Sequence, residues 1–455
     1  MKLLKEFLNE FNNNRYKLYE LKNGIKLLHV QNPATVDSDF CAIFRAGAAF
    51  ESKANVPNGT AHFLEHMLLN PNEEFKTKEQ IDTYEMGNRE KPGIYMNAYT
   101  SKKNIYITGS SNRLGLERIL TRVSSMFDFS KDMMEKQIEK ERGIIIAERS
   151  RKTKKEKNAY LQSLEYLFKD IPELQGEVVG EVEDIMKISI DDLEKYFNQR
   201  FVTGNTIFSL QTEDEISKEL EDQLEKLAIK VKKGTEDRFR EYELENEFGI
   251  DIYSDDRATG TFISLIYFRK ESKEIDYKSE ITQKAVHSLI DWIGFNILRE
   301  QKSLVYDFST FKNFSSSFHY STYGIKFTTS NENISKMLEE VYTLLYKESF
   351  KFLDSEKGRE WFDDFLSSHI YPRTTRFSND TAEKSALNLF EYDDLFDDTL
   401  MIEEAKNLKM NEVMDSLKEI LEIPPHIWIE SDQEKKVLEK IVRDSTLTKK
   451  FSPMV

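Results

Sequence analysis

Two histidines stand four residues apart in the string His62-Phe63-Leu64-Glu65-His66, in a chain that has only seven histidines among 455 residues. On an α-helix, positions i and i+4 share a face, so both imidazoles can reach one cation. Glu65 flanks that face without duplicating a ligand. Zinc that serves hydrolysis takes three protein ligands and keeps a fourth position for water. The third ligand must therefore be acidic or a histidine and come from a second element. The stretch Glu141-Arg142-Gly143-Ile144-Ile145-Ile146-Ala147-Glu148 offers two carboxylates two helical turns apart, on one helix face. Its apolar middle marks a buried helix, and a carboxylate there needs a partner. A metal ion and the ring N–H of a ligating histidine are both suitable. The single cysteine, Cys41, excludes a Cys-rich metal site and an intramolecular disulfide, and its apolar setting reads as a core thiol.

The elements that would position these groups follow from periodicity. Tyr16–Leu21 and Ile25–Val30 read as strands joined by a turn at Lys22-Asn23-Gly24. Asp39–Arg45 is a third strand, and after Gly59 the period becomes helical through both histidines. Strands at Tyr95–Thr100 and Asn104–Gly109 precede a helical region from Leu114 to Phe168 that holds Glu141 and Glu148. A helix capped by Ser189 and a strand at Thr206–Leu210 follow. The second half repeats the order, with strands at Phe239–Leu244, Gly249–Tyr253 and Thr261–Phe268, a long helix from Ser279 to Leu304, strands at Tyr306–Phe311 and Tyr323–Phe327, several helices and a strand at Ile427–Ile429. A repeat of roughly 225 residues is a duplicated domain, since solenoid periods run about 20–50. The pattern predicts an α+β fold of two similar domains, each an antiparallel sheet with helices packed on one side. The charged stretch Lys230–Glu241 places the division between residues 1–232 and 233–455. At the N-terminus Leu3, Leu4, Phe7, Leu8 and Phe11 follow helical spacing and predict a docking helix, while Lys5, Glu6 and Glu10 interrupt any signal-peptide core.

Charge narrows the partners. Lys+Arg number 65 and Asp+Glu 81, a formal net charge of -16, which works against nucleic-acid binding. The basic run at 151–155 is expected to be an exposed helix face. No stretch approaches the ~20 apolar residues of a transmembrane helix. The expectation is a cytoplasmic protein with no membrane and no nucleic-acid partner.

His62 to Leu69 (HFLEHMLL), Asn97-Ala98-Tyr99-Thr100-Ser101 and Glu141 to Glu148 (ERGIIIAE) together resemble the pitrilysin–insulysin family of zinc metallopeptidases, whose H-x-x-E-H order defines the inverzincins. The length is similar to that of the two-domain, mitochondrial-processing-peptidase-like branch. The resemblance implies a zinc-dependent endopeptidase acting on unfolded or short peptides, with one Zn2+ per chain. It implies His62, His66 and Glu148 as metal ligands, Glu65 as general base and Glu141 as the carboxylate behind a ligand. The separation from His62 to Glu148 is 148 − 62 = 86 residues, and the insert Asn88–Ile94 accommodates its length. Asn97 and Ala98 match a substrate-binding edge strand. Arg299 and Tyr306 match an Arg-x6-Tyr element that holds the substrate carbonyl and the oxyanion. The second half has no H-x-x-E-H, and His287 stands alone, so residues 233–455 resemble the family's inactive domain. Met67-Leu68-Leu69-Asn70-Pro71 departs from the family pattern, which more often has an aromatic residue and a Gly-Thr there, and leaves the metal set intact. The family closes a chamber from two halves, which implies a homodimer in which Arg299 and Tyr306 serve the other protomer's site. The alternative is a non-catalytic peptide-binding or assembly subunit.

Overall fold

The computed structural model describes residues 1–10, 12–128, 131–155, 168–240, 242, 248–254, 260–272, 274–315, 320–371 and 381–451. These fall into two compact units. The first takes 1–155, 168–242 and 381–396, and the second takes the described residues from 248 to 371 and from 397 to 451.

The first unit is built on seven strands: β1 (Lys2–Asn9), β2 (Asn14–Glu20), β3 (Lys26–Gln31), β4 (Asp37–Phe44), β5 (Tyr95–Thr100), β6 (Ile105–Asn112) and β7 (Thr206–Thr212). Their order is β1-β2-β3-β7-β4-β6-β5, antiparallel throughout except for the parallel pair β3 and β7. Side chains alternate across the pleat. Leu27, Phe40, Ala42, Phe44, Ile105, Ile107, Phe208 and Leu210 enter one core. It is shared with α1 (Glu51–Ala54), α2 (Thr60–Leu69), α3 (Lys78–Met86), α4 (Leu116–Met126), α5 (Lys131–Glu135), α6 (Ile138–Lys155), α7 (Ile190–Arg200) and α8 (Lys218–Lys230). Their neighbours Leu28, Cys41, Ile43, Tyr106 and Ile207 point the other way and meet Ala386, Leu389 and Phe390. Those three residues belong to the helix Thr381–Tyr392, which comes from the second half of the sequence. The division at residue 232 takes no account of it. Its hold is also polar, since Arg45 lies over the Phe390 ring at 3.7 Å and donates to the Phe390 carbonyl.

The N-terminal segment is a strand where helical spacing predicts a docking helix. β1 pairs with β2 along its length, and Phe7 stacks on Tyr16 at 4.8 Å. Leu3, Leu4 and Leu8 stay 41–47 % exposed, so the spacing that suggests a buried helical face buries little. The backbone ladder decides the conformation instead.

The second unit carries β8 (Gly249–Ser254), β9 (Thr261–Lys270), β10 (Asp307–Ser315), β11 (Tyr320–Thr329) and β12 (His426–Ser431), ordered β10-β11-β9-β12-β8. Only β8 and β12 pair in parallel. Read from the other edge, this is the order of β3-β7-β4-β6-β5, with the parallel pair in the same place. Five strands of the first sheet share the topology of the second, as the repeated pattern predicts, and β1 and β2 extend the first sheet at one edge. The helix Tyr277–Gly294 occupies the interval between β9 and β10 that α2 and α3 occupy between β4 and β5. Its His287 shares a 2.9 Å hydrogen bond with the Thr310 hydroxyl.

Candidate metal centre

α2 is buried on nearly every side; of its residues only His66 and Leu69 reach partial exposure. Its start is fixed by Gly59, whose φ of +90° is a left-handed conformation, and where an added Cβ would lie 2.4 Å from the Val179 carbonyl oxygen. The buried carboxyl group of Glu51, on α1, accepts from the N–H groups of Gly59 (3.0 Å) and Ala61 (2.7 Å). The helix ends at Asn70, whose extended conformation suits the residue before Pro71. The Asn70 amide donates to the His66 carbonyl at 2.9 Å. The Arg122 guanidinium, fully buried on α4, donates to the Leu69 carbonyl at 2.9 Å and pairs with Glu85 at 3.0 Å. Burial pushes the Glu51 pKa up to about 8, so it acts at the first turn as a hydrogen-bond acceptor, whereas the Arg122 cation beside the last turn is favoured by the helix dipole.

The i, i+4 spacing places the two rings together, 4.7 Å between centroids. α6 packs against α2 and brings Glu148 to them. One Glu148 oxygen lies 3.7 Å from His62 Nε2 and 3.6 Å from His66 Nε2. One donor atom from each of His62, His66 and Glu148 lies within 4.8 Å of the others. Ligands about 2.0–2.1 Å from a tetrahedral ion stand roughly 3.4 Å apart, close to the two separations from Glu148 to the histidines. Two imidazoles and a carboxylate also suit zinc in softness. Seven residues before Glu148, the buried Glu141 binds the other ring nitrogen of His66, Nδ1, at 3.3 Å. That bond fixes the ring and leaves Nε2 for a metal.

Carboxylates of Glu65, Glu141 and Glu148 surround the two rings. Burial works against charge on His66, but its hydrogen bond with Glu141 and the Glu65 and Glu148 carboxylates outweigh this and raise its pKa above 6.5. Burial likewise opposes charge on Glu141, yet bonds from His66 and the Asn70 side chain hold its carboxyl below the ordinary value. Glu65 is buried, with Oε2 3.9 Å from His62 Nε2, and it accepts a 3.1 Å bond from the Thr100 hydroxyl on β5. β5 is an edge strand bonded only to β6, so its other edge is open within this sheet. On it Asn97 is exposed and Ala98 buried.

Arg299 and Tyr306 lie in the second unit. The Arg299 side chain is half-exposed, 4.8 Å over the Phe295 ring, and Tyr306 is 90 % exposed just before β10. The basic run at 151–155 ends α6, and its side chains are outside the described residues. Glu51, Arg122, Asn70 and Thr100 escape sequence reasoning as supports of the site. Glu51 and Arg122 belong to no local pattern, whereas Thr100 sits inside the string Asn97 to Ser101 and Asn70 inside the departure after His66.

Two family models match the chain, and the boundary between them, at residues 175–187, falls inside the first unit. The family model described as "Insulinase (Peptidase family M16)" matches residues 26–175, which contain every residue of the metal cluster. A second, "Peptidase M16 inactive domain", matches residues 187–349. The chain belongs to peptidase family M16. Among M16 relatives, the beta subunit of the mitochondrial-processing peptidase from Caenorhabditis elegans is 27% identical over 190 residues, 42% of this chain and 39% of that one. The chain thus matches about two fifths of that curated relative's length. Among solved structures, a peptidase M16 inactive domain from Pseudomonas fluorescens superposes with a TM-score of 0.73, at 17% identity, over 92% of this chain and 98% of that one. The periplasmic protease PqqL from Escherichia coli superposes with a TM-score of 0.74, at 15% identity, over 99% of this chain and 51% of that one. These two establish likeness of fold alone. Among the described residues no helix is long and apolar enough to cross a membrane.

Proposed function

We propose that this M16 protein is a zinc-dependent endopeptidase that hydrolyses unfolded or short peptides, with His62, His66 and Glu148 as ligands of one Zn2+ per chain. The convergence of those three donors within 4.8 Å carries the reading. Bound zinc would supply Lewis acidity, which brings water within reach of a carboxylate base near neutral pH. Glu65 is the base: it takes the proton of the attacking water and returns it to the leaving amine. The Thr100 hydroxyl holds one Glu65 oxygen in place, and Glu141 holds the His66 ring. The open edge of β5 can bind an extended peptide by main-chain hydrogen bonds at Asn97 and Ala98 and lay its backbone beside Glu65. Arg299 and Tyr306 are assigned to the substrate carbonyl and the oxyanion.

PqqL is nearly twice this length, which supports extending the proposal to a homodimer. In it, Arg299 and Tyr306 of one protomer serve the site of the other. The single buried cysteine fits a reducing compartment, and we assign the protein to the cytoplasm.

The match of residues 187–349 to an inactive-domain model favours a second reading, a non-catalytic peptide-binding or assembly subunit. The metal cluster lies outside that match. Metal analysis with a quenched-peptide assay separates the two readings. We expect one zinc per chain, turnover abolished by chelator and recovery on adding zinc. A chain that purifies without zinc and cleaves nothing is the non-catalytic subunit.

A further inference from the structure

α2 has an unusual start. An N-cap residue ordinarily satisfies the free N–H groups of the first turn with its own side chain. Gly59 has none, and the Val179 carbonyl excludes even a Cβ there. The first turn is buried, so water is a poor substitute. Glu51 fills the role from a separate helical turn, eight and ten residues earlier. Its two oxygens are divided, Oε2 accepting from Gly59 N–H and Oε1 from Ala61 N–H, while the side chain itself is 1 % exposed. Ala61 immediately precedes His62. The two ligands of α2 therefore depend on different supports. His66, in the last turn, is held by Glu141 through its ring and by Asn70 through its carbonyl. His62 sits in the first turn, whose backbone Glu51 fixes.

We infer that Glu51 is a positioning residue of the metal centre, holding the first turn of α2 so that His62 meets the cation. The inference rests on the zinc-peptidase reading. The loss expected from removing it is that of a group standing behind a ligand, about 10–100-fold in metal affinity.

The test uses the full chain and its Glu51→Ala and Glu51→Gln variants, with Glu225→Gln as a control. Glu225 is another buried carboxyl of the first unit, accepting from Lys22 N–H at 3.1 Å, remote in sequence from α2. Zinc affinity is measured by chelator competition, the visible spectrum is recorded on the cobalt-loaded chain, and heat stability on the metal-free chain. Glu51→Ala should weaken zinc binding by about 10–100-fold and alter the cobalt bands. Glu51→Gln, whose carbonyl oxygen still accepts one N–H, should lose less. Glu225→Gln should melt earlier with unchanged metal affinity. Zinc affinity within about twofold of wild type and an unchanged cobalt spectrum in both Glu51 variants would overturn the inference, whatever their melting points. If Glu51→Ala does not fold, the same result in Glu51→Gln alone overturns it. A wild-type chain that binds no zinc defeats the peptidase reading itself, a result distinct from zinc held equally by wild type and variants.

Discussion

Replacing Glu65 by Gln separates metal binding from catalysis. Gln has the same shape, and its carbonyl oxygen can still accept the 3.1 Å bond from Thr100, so local packing is retained. Glu65 lies outside the cluster of three donors, and its nearest approach to His62 Nε2 is 3.9 Å. The variant should therefore keep one zinc per chain. What it loses is proton transfer, because an amide is not a base near neutral pH. General acid–base catalysis is worth about 10²–10⁴-fold, or roughly 3–5 kcal/mol of barrier. Glu65 acts twice in the proposed cycle, which places the loss at the upper end. The assay is kcat on a quenched peptide, with zinc measured by elemental analysis on the same samples. Turnover within about tenfold of wild type would refute the role of Glu65. Loss of zinc alongside activity would refute the separation of base from ligands.

Glu141→Ala should weaken zinc by about 10–100-fold in a chelator competition, because it frees the Nδ1 side of His66 at a distance from the metal; unchanged affinity would leave Glu141 a structural residue. Mixing Glu65→Gln chains with Arg299→Ala chains should restore activity at one of the two sites of a mixed dimer, and no recovery after verified subunit exchange would favour a site completed within one chain. A pH effect follows from His29, a fully buried ring on β3 whose Nε2 lies 2.7 Å from the Thr212 hydroxyl. That hydroxyl donates to the Asp214 carbonyl at 2.7 Å, so it must accept from a neutral His29 Nε2–H. Burial pushes the His29 pKa down to about 4, against a partial upward pull from Glu215. The folded chain resists a proton that the unfolded chain takes near 6.5, so this stability is present above pH 6.5 and is lost as pH falls towards 4. At about 1.4 kcal/mol per pH unit over about 2.5 units, the loss reaches at most about 3.5 kcal/mol. Urea unfolding of the wild type and His29→Gln over this range should show the wild type falling more steeply, and parallel curves would contradict the assignment.

The histidine pair of the candidate metal centre and the doubled fold were legible in the sequence because both rest on local periodicity, whereas the choice of Glu148 came from the family resemblance. Four-residue spacing puts His62 and His66 on one face of any helix, and seven-residue spacing does the same for Glu141 and Glu148. Which carboxylate meets the imidazole Nε2 atoms was a matter of how α6 packs on α2, and the packing gives Glu148 that place and Glu141 the far side of His66. The repeated order of strands and helices likewise carries over into five strands of matching topology in the two sheets. Local pattern misled at Leu3 to Leu8, where apolar spacing suits a helix but pairing with β2 satisfies the backbone as a strand. Tertiary structure alone brought Glu51 and Arg122 to the two ends of α2, Thr100 to Glu65, and the helix Thr381–Tyr392 onto the far face of the first sheet. Sequence spacing specifies which side chains share a face. It does not say which distant face will pack against them, because that is settled by burial of apolar surface and by the hydrogen bonds that buried polar groups must complete.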